Sequence, residues 1–151
     1  MDVQKLTNQL KKIDLEEILK NENWKELEDV TKLVFEENGF ETIKNFRFKT
    51  NRRFEIDVLA IKGDIVICAE CKKWSLNRHR NSQLKKACVK NEEKASELKK
   101  LMKNKWFLSI IVTLWQEDIL QSGKTIIIPI YKLNSFLLNF SFKYFSKDIY
   151  I

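Results

Sequence analysis

Proline and glycine are scarce, with one Pro and three Gly in 151 residues. A thermophile or an AT-rich genome would produce such a shortage. No linker, repeat or low-complexity stretch divides the chain, so residues 1–151 read as one domain. Cysteine is also rare: Cys68, Cys71 and Cys88. The opening MDVQKLTNQLKK carries no apolar leader. An odd cysteine count in such a chain implies reduced thiols rather than a disulfide framework. Cys68-x-x-Cys71, with His79 and Cys88 as further donors, is the candidate zinc set. A central strand would point Cys68 and Cys71 to opposite faces, and the remaining gaps fit no familiar finger, so small buried hydrophobes are the expected reading. No run reaches the roughly 18 apolar residues of a membrane span. No membrane partner is expected, and the expected compartment is the cytoplasm.

The residues that are present describe a globular, basic protein. The composition is 44% hydrophobic and 32% charged, and the chain is long enough to bury a real core. Net charge is +7 and the pI about 9.3, which favours a polyanionic partner, usually nucleic acid.

The chain is organised around Phe54–Trp74, FEIDVLAIKGDIVICAECKKW. Two runs rich in Ile and Val, Phe54–Ile61 and Ile65–Lys73, flank Gly63-Asp64, the signature of a tight hairpin. A two-residue loop sets Lys62 opposite Ile65, Asp57 opposite Glu70 and Glu55 opposite Lys72. The period of two then places Glu55, Asp57, Leu59, Ile61, Val66, Cys68, Glu70 and Lys72 on one face, apolar near the turn and ionisable at the open end. Carboxylates about 4.5–5.5 Å apart at Cβ repel unless a cation or proton lies between them. A divalent metal with a preference for oxygen, Mg²⁺ or Mn²⁺, would resolve that conflict. Lys72 could orient or help deprotonate a water, or neutralise phosphate charge. Taken alone, two acids and a Lys on a hairpin are more often a solvated face with a Glu–Lys cross-strand pair; the surrounding helices are what favour the metal site.

An Asp on one strand, a turn and then Glu-x-Lys on the next resembles the PD-(D/E)xK nuclease superfamily, the restriction-endonuclease-like fold. The residues are Ile56-Asp57 and Glu70-Cys71-Lys72, with Ile56 in place of the Pro. The likeness covers roughly residues 24–113 and is closest in look to archaeal Holliday-junction resolvases and Mrr-type restriction enzymes. It implies that Asp57 and Glu70 hold the metal, with the Cys71 carbonyl as a further ligand and Lys72 as the catalytic amine. It also implies a Glu on the first core helix, eleven residues before a Gly-aromatic pair. Glu28 stands at that distance from Gly39-Phe40, and Asp29 is its neighbouring alternative. Gln83 is the counterpart of the Gln or Lys that such nucleases place on the following helix.

Along the rest of the chain, Val3, Leu6, Leu10 and Ile13 form a helical seam. Residues 1–22 are thus expected as a helical extension serving as a packing flap or homodimer contact. Asn23-Trp-Lys-Glu26 is a capping box opening a helix over Trp24–Asn38, which Gly39 ends. Glu41–Thr50 reads as a strand with Phe46 and Phe48 alternating. Ser82–Lys103 reads as a long helix whose core stripe is Leu84, Cys88, Asn91, Ala95, Leu98 and Met102, with its many lysines on the other faces. Trp106–Leu114 and Thr125–Ile130 read as strands, and Leu133–Phe140 as a short helix. The expected fold is α/β: a mixed central sheet flanked by helices, with a catalytic core over 23–114 and a C-terminal strand and helix within 115–151. Arg52, Arg53, Arg78, Arg80, Gln83 and Lys85 are the candidate nucleic-acid contacts, and His79 reads as a surface residue. Together these expectations describe a Mg²⁺-dependent DNA endonuclease. A non-catalytic nucleic-acid-binding module and an RNA-processing nuclease of the same fold are the alternatives.

Overall fold

The computed structural model describes residues 24–72, 80–117, 119–139 and 150–151. The expected N-terminal helices, the loop bearing Arg78 and His79, and the 141–149 tail lie outside the described residues. Helix α1 spans Trp24–Glu37. Strands β1 (Glu41–Lys49), β2 (Arg53–Lys62) and β3 (Ile65–Lys72) follow, then the long helix α2 (Arg80–Leu101). β4 (Trp106–Thr113), β5 (Gln121–Ser122), β6 (Thr125–Pro129) and α3 (Ile130–Asn139) complete the order. The six strands form one sheet in the order β1-β2-β3-β4-β6-β5. β1, β2 and β3 are antiparallel; β3, β4 and β6 are parallel; β5 closes antiparallel on β6. The mixed α/β sheet expected from the sequence is therefore the observed one.

α1 and α3 cover one face of the sheet, and α2 covers the other. Leu27, Val34, Phe35, Leu133 and Leu137 pack on Val58, Ala60, Ile67, Leu108, Ile110 and Val112. On the other side Ala95 and Leu98 of α2 pack on Leu59, Val66, Cys68 and Phe107, and Leu84 and Cys88 pack near Ile111 and Ile127. β4 alternates cleanly between the two cores, as a strand buried on both faces does. The cysteines follow the same geometry. Cys68 lies in the α2-side core and Cys71 in the α1-side core, where its thiol donates to Thr31 Oγ1 at 3.5 Å. Burial pushes the Cys68 thiol up to about 12, the behaviour of an inert buried hydrophobe.

The helix and hairpin ends form by the expected local chemistry. At the end of α1, Gly39 N–H donates to Glu36 O (3.0 Å) and Phe40 N–H to Phe35 O (3.1 Å). Gly39 has φ +85, and the Phe35 and Phe40 rings meet edge-on at 5.4 Å, a Schellman ending with its apolar contact. In the β2–β3 hairpin, Lys62 pairs with Ile65 around Gly63-Asp64, with Gly63 at φ +57. Glycine at the first central position suits the right-handed twist of the strands.

α2 runs two residues earlier at each end than the expected Ser82–Lys103, and two C-terminal features also differ from expectation. α3 begins at Ile130, directly after Pro129, because Ile130, Leu133 and Leu137 bury together on one helical face. The short hairpin Gln121–Pro129 contains a two-residue strand, too brief for periodicity to register.

The larger departure is on β1 and β2. On β1, Thr42 and Lys44 reach α1, bonding Glu36 at 2.8 Å and Asp29 at 2.5 Å. Yet Phe46 and Phe48, of the same parity, pack on the α2 side. On β2, Val58 and Ala60 join the α1-side core, whereas Ile56 joins the α2-side core. The faces exchange at Asn45 and Asp57. Asn45 carries φ +53 between the pairs Lys44–Val58 and Phe46–Ile56. A residue in the left-handed region rotates the strand beyond it, and Asn tolerates that conformation better than most residues. The expectation that Glu55 shares a face with Asp57, Leu59 and Ile61 is therefore corrected. Beyond the exchange Glu55 turns to the α1 side, where Arg47 Nε meets it at 3.3 Å.

Candidate active site

The exchange of faces creates the site. The β2–β3 ladder runs in the expected register from Lys62–Ile65 to Val58–Ala69 and ends there. At the next position Asp57 uses its side chain instead of its backbone: Cys71 N–H donates to Asp57 Oδ2 at 3.0 Å. The strands part around a carboxylate, and Glu70 stands beside it. Glu28 approaches from α1. With its amide oriented to satisfy its neighbours, Asn45 Nδ2 donates to Glu28 Oε2 and Glu55 Oε1, both at 3.3 Å.

The electrostatics follow from crowding acids in a desolvated cleft. Glu28 and Glu70 are each 9% exposed. Burial, and next the Glu70 charge, push Asp57 up from 3.8 to about 7, with the Cys71 N–H opposing. Burial also raises Glu28; Lys44 opposes that shift and Glu70 adds to it. Cations answer the excess charge: Lys72 Nζ lies 3.3 Å from Glu70 Oε1, and Lys94 Nζ lies 3.1 Å from Glu70 Oε2.

The structure thus brings Glu28, Asp57, Glu70, Cys71 and Lys72 together. Asp29 is instead an exposed partner of Lys44. Gln83 is exposed near the start of α2, and among the described side chains of this helix it is Lys94 that touches Glu70. It lies eleven positions on, about 16 Å along a helix rising 1.5 Å per residue. Sequence reasoning placed Lys94 among the solvated lysines. The available signal was its position three residues after Asn91, hence beside the buried stripe.

The candidate nucleic-acid contacts divide. Arg52 is engaged on the α2 side, with Nη2 2.6 Å from Glu93 Oε1 and its guanidinium 4.6 Å over the Phe54 ring. Arg53 is exposed beside Arg47 and Lys49, which share a shallow groove with it next to Glu55. Lys85 is exposed on α2 with Lys86 and Lys90. The side chain of Arg80 and all of Arg78 lie outside the described residues.

A family described as NERD, nuclease-related domain, matches residues 11–127. The chain belongs to the nuclease-related domain family. That family has the PD-(D/E)xK, restriction-endonuclease-like fold, as the Asp57 and Glu70-Cys71-Lys72 resemblance implied. An uncharacterized protein of Archaeoglobus fulgidus is 32% identical over 120 residues, covering 79% of this chain and 92% of that one. The crystal structure of a protein of unknown function, AF1548, aligns at 18% identity with a TM-score of 0.45. The alignment covers 72% of this chain and about half (51%) of that one. The nuclease-related domain carries its acids where its sheet opens, between α1 and α2. No helix among the described residues is long and apolar enough to cross a membrane.

Proposed function

We propose that this nuclease-related domain is a metal-dependent DNA endonuclease that hydrolyses phosphodiester bonds, with Mg²⁺ as cofactor and Mn²⁺ as its substitute. One observation carries the reading: Asp57 and Glu70 stand side by side where the ladder opens, with the Lys72 amine on Glu70.

The donor chemistry fits such a metal. Asp57 and Glu70 supply hard oxygens, and burial together with the Glu70 charge raises Asp57 to about 7, a cost to its charged form that a bound cation would offset. An extended residue presents N–H and C=O to the same neighbouring strand. The Cys71 carbonyl therefore faces the gap that its N–H enters. Among the described residues no three acids, thiols or imidazoles close into a cage by themselves. Mg²⁺ keeps several waters and takes only one or two carboxylates, so Asp57 and Glu70 would be enough protein ligands for it. When bound, the metal would supply an activated water and offset charge on the phosphate.

The chain's own residues do the rest. Asp57, fixed by the Cys71 N–H, and Glu70, fixed by two ammoniums, form a rigid acidic pair. Glu28, steadied by Asn45, lines the α1 side. Lys72 orients the attacking water or neutralises the phosphate as the phosphorus–oxygen bond breaks. Arg47, Lys49 and Arg53 on the hairpin and Lys85 on α2 would hold the sugar-phosphate backbone without reading bases. Cations on two separate elements suit a duplex or branched duplex.

The test is a panel of plasmid, single-stranded, flap and four-way DNA in Mg²⁺, Mn²⁺ and EDTA, with Asp57→Ala and Lys72→Ala beside the wild type. Cleavage that EDTA and Asp57→Ala abolish, with DNA binding kept, supports the reading. DNA binding with no metal-dependent cleavage by the wild type would leave a non-catalytic module, a reading favoured by the pairing of both Glu70 oxygens with lysines. Cleavage of RNA alone would make it an RNA nuclease.

A further inference from the structure

Lys94 belongs to none of the motifs, yet among the described residues it makes the closest cation contact to Glu70, 3.1 Å to Oε2, while Lys72 takes Oε1. One carboxylate therefore faces two ammoniums, and its own side chain is only 12% exposed. Two ammoniums, Lys72 and Lys94, thus already offset the charge of the acids grouped here, Glu28, Asp57 and Glu70. A pocket so balanced draws a divalent cation weakly. Any cation reaching Glu70 Oε2 must first displace an ammonium.

The surroundings of Lys94 allow that exchange. Its helix is pinned one turn earlier, where Asn91 Nδ2 donates to Cys68 O (3.0 Å), Ser109 Oγ (2.8 Å) and Ile110 O (3.2 Å). The backbone of Lys94 is thus fixed, while the ammonium rides on a flexible four-carbon stem. The neighbouring acids on α2 are already paired, Glu93 with Arg52 and Glu97 with Lys100 and Thr50. A displaced ammonium would then turn to the substrate phosphate.

We infer that Lys94 is a positioning residue that occupies Glu70 Oε2 in place of the metal, and yields it when a phosphodiester enters. Metal and nucleic acid then load together rather than in sequence. This rests on the metal-dependent reading above.

Calorimetric titration of the full chain with Mn²⁺, without nucleic acid, tests it in wild type, Lys94→Gln, Lys94→Met and Lys94→Arg. Lys94→Gln and Lys94→Met are expected to bind Mn²⁺ at least five-fold more tightly, and Lys94→Arg to bind as the wild type does. Adding a non-cleavable phosphorothioate duplex should tighten Mn²⁺ binding to the wild type and change the neutral variants much less. Unchanged or weaker Mn²⁺ binding by both neutral variants overturns the role of Lys94 alone, provided the wild type still binds Mn²⁺ through Asp57. Absence of Mn²⁺ binding in every form, duplex present or not, overturns the metal reading and this inference together.

Discussion

Cys71 donates its backbone N–H to the Asp57 carboxylate at 3.0 Å, one position past Val58 and two past Ala69, the last paired residues of the β2–β3 ladder. A bond that would ordinarily join two backbones is spent on a side chain. The sheet opens there and exposes a pair of acids.

That opening costs stability at high pH. Folded Asp57 loses its proton near 7, against 3.8 for an ordinary aspartate. Between those values the folded state holds a proton that the unfolded chain has lost, so the contribution is full below about pH 4 and disappears as pH rises through 7. Without metal, Asp57→Asn is expected to raise stability at pH 8 by about 1–3 kcal/mol and to flatten its fall from pH 5.5 to 8. Urea unfolding at the two pH values measures both; a parallel fall in wild type and variant contradicts the account.

The same proton must leave when a cation binds. Mn²⁺ affinity is expected to climb between pH 6 and 8, with release of up to about one proton per metal at pH 6. Calorimetry in buffers of different ionisation enthalpy reads the release directly, and Asp57→Asn should abolish it.

Asn45 carries two roles that substitution can separate. Asn45→Gly keeps the positive φ and loses only the amide contacts to Glu28 and Glu55, so stability should hold while cleavage falls. Asn45→Val also opposes the backbone conformation and should cost about 1–2 kcal/mol of stability. Thermal unfolding beside a cleavage assay separates them. Equal stability of the two variants argues against the strand rotation described at this residue.

Gly39→Ala provides a control remote from the acids. Its φ of +85 disfavours a side chain, although a Cβ there would meet only the flexible end of Lys62 at 3.4 Å. Unfolding should be easier by about 1 kcal/mol with cleavage unchanged.

Much of this arrangement is legible in the sequence because it is local. The Ile- and Val-rich runs, Gly63-Asp64 and the Gly39 ending each specify their own geometry, and together they fix the register that brings Asp57 to Glu70. The exchange of faces is not legible by the same means. Period-two counting assumes an unbroken strand, and one Asn at φ +53 breaks it, sending Glu55 to the far side. Lys94 escaped for a related reason: on a helix crowded with lysines, only the tertiary packing of α2 against β3 distinguishes one ammonium from the rest. The resemblance to other nucleases pointed to Gln83 on this helix, which lies about three turns from the contact.

Lys72→Ala is the most direct test of the central claim. Plasmid cleavage in Mg²⁺ should slow by roughly 10²–10⁴-fold, with duplex binding retained and EDTA silencing the wild type. A Lys72→Ala protein that cuts as fast as the wild type, or wild-type cutting that persists in EDTA, would contradict it.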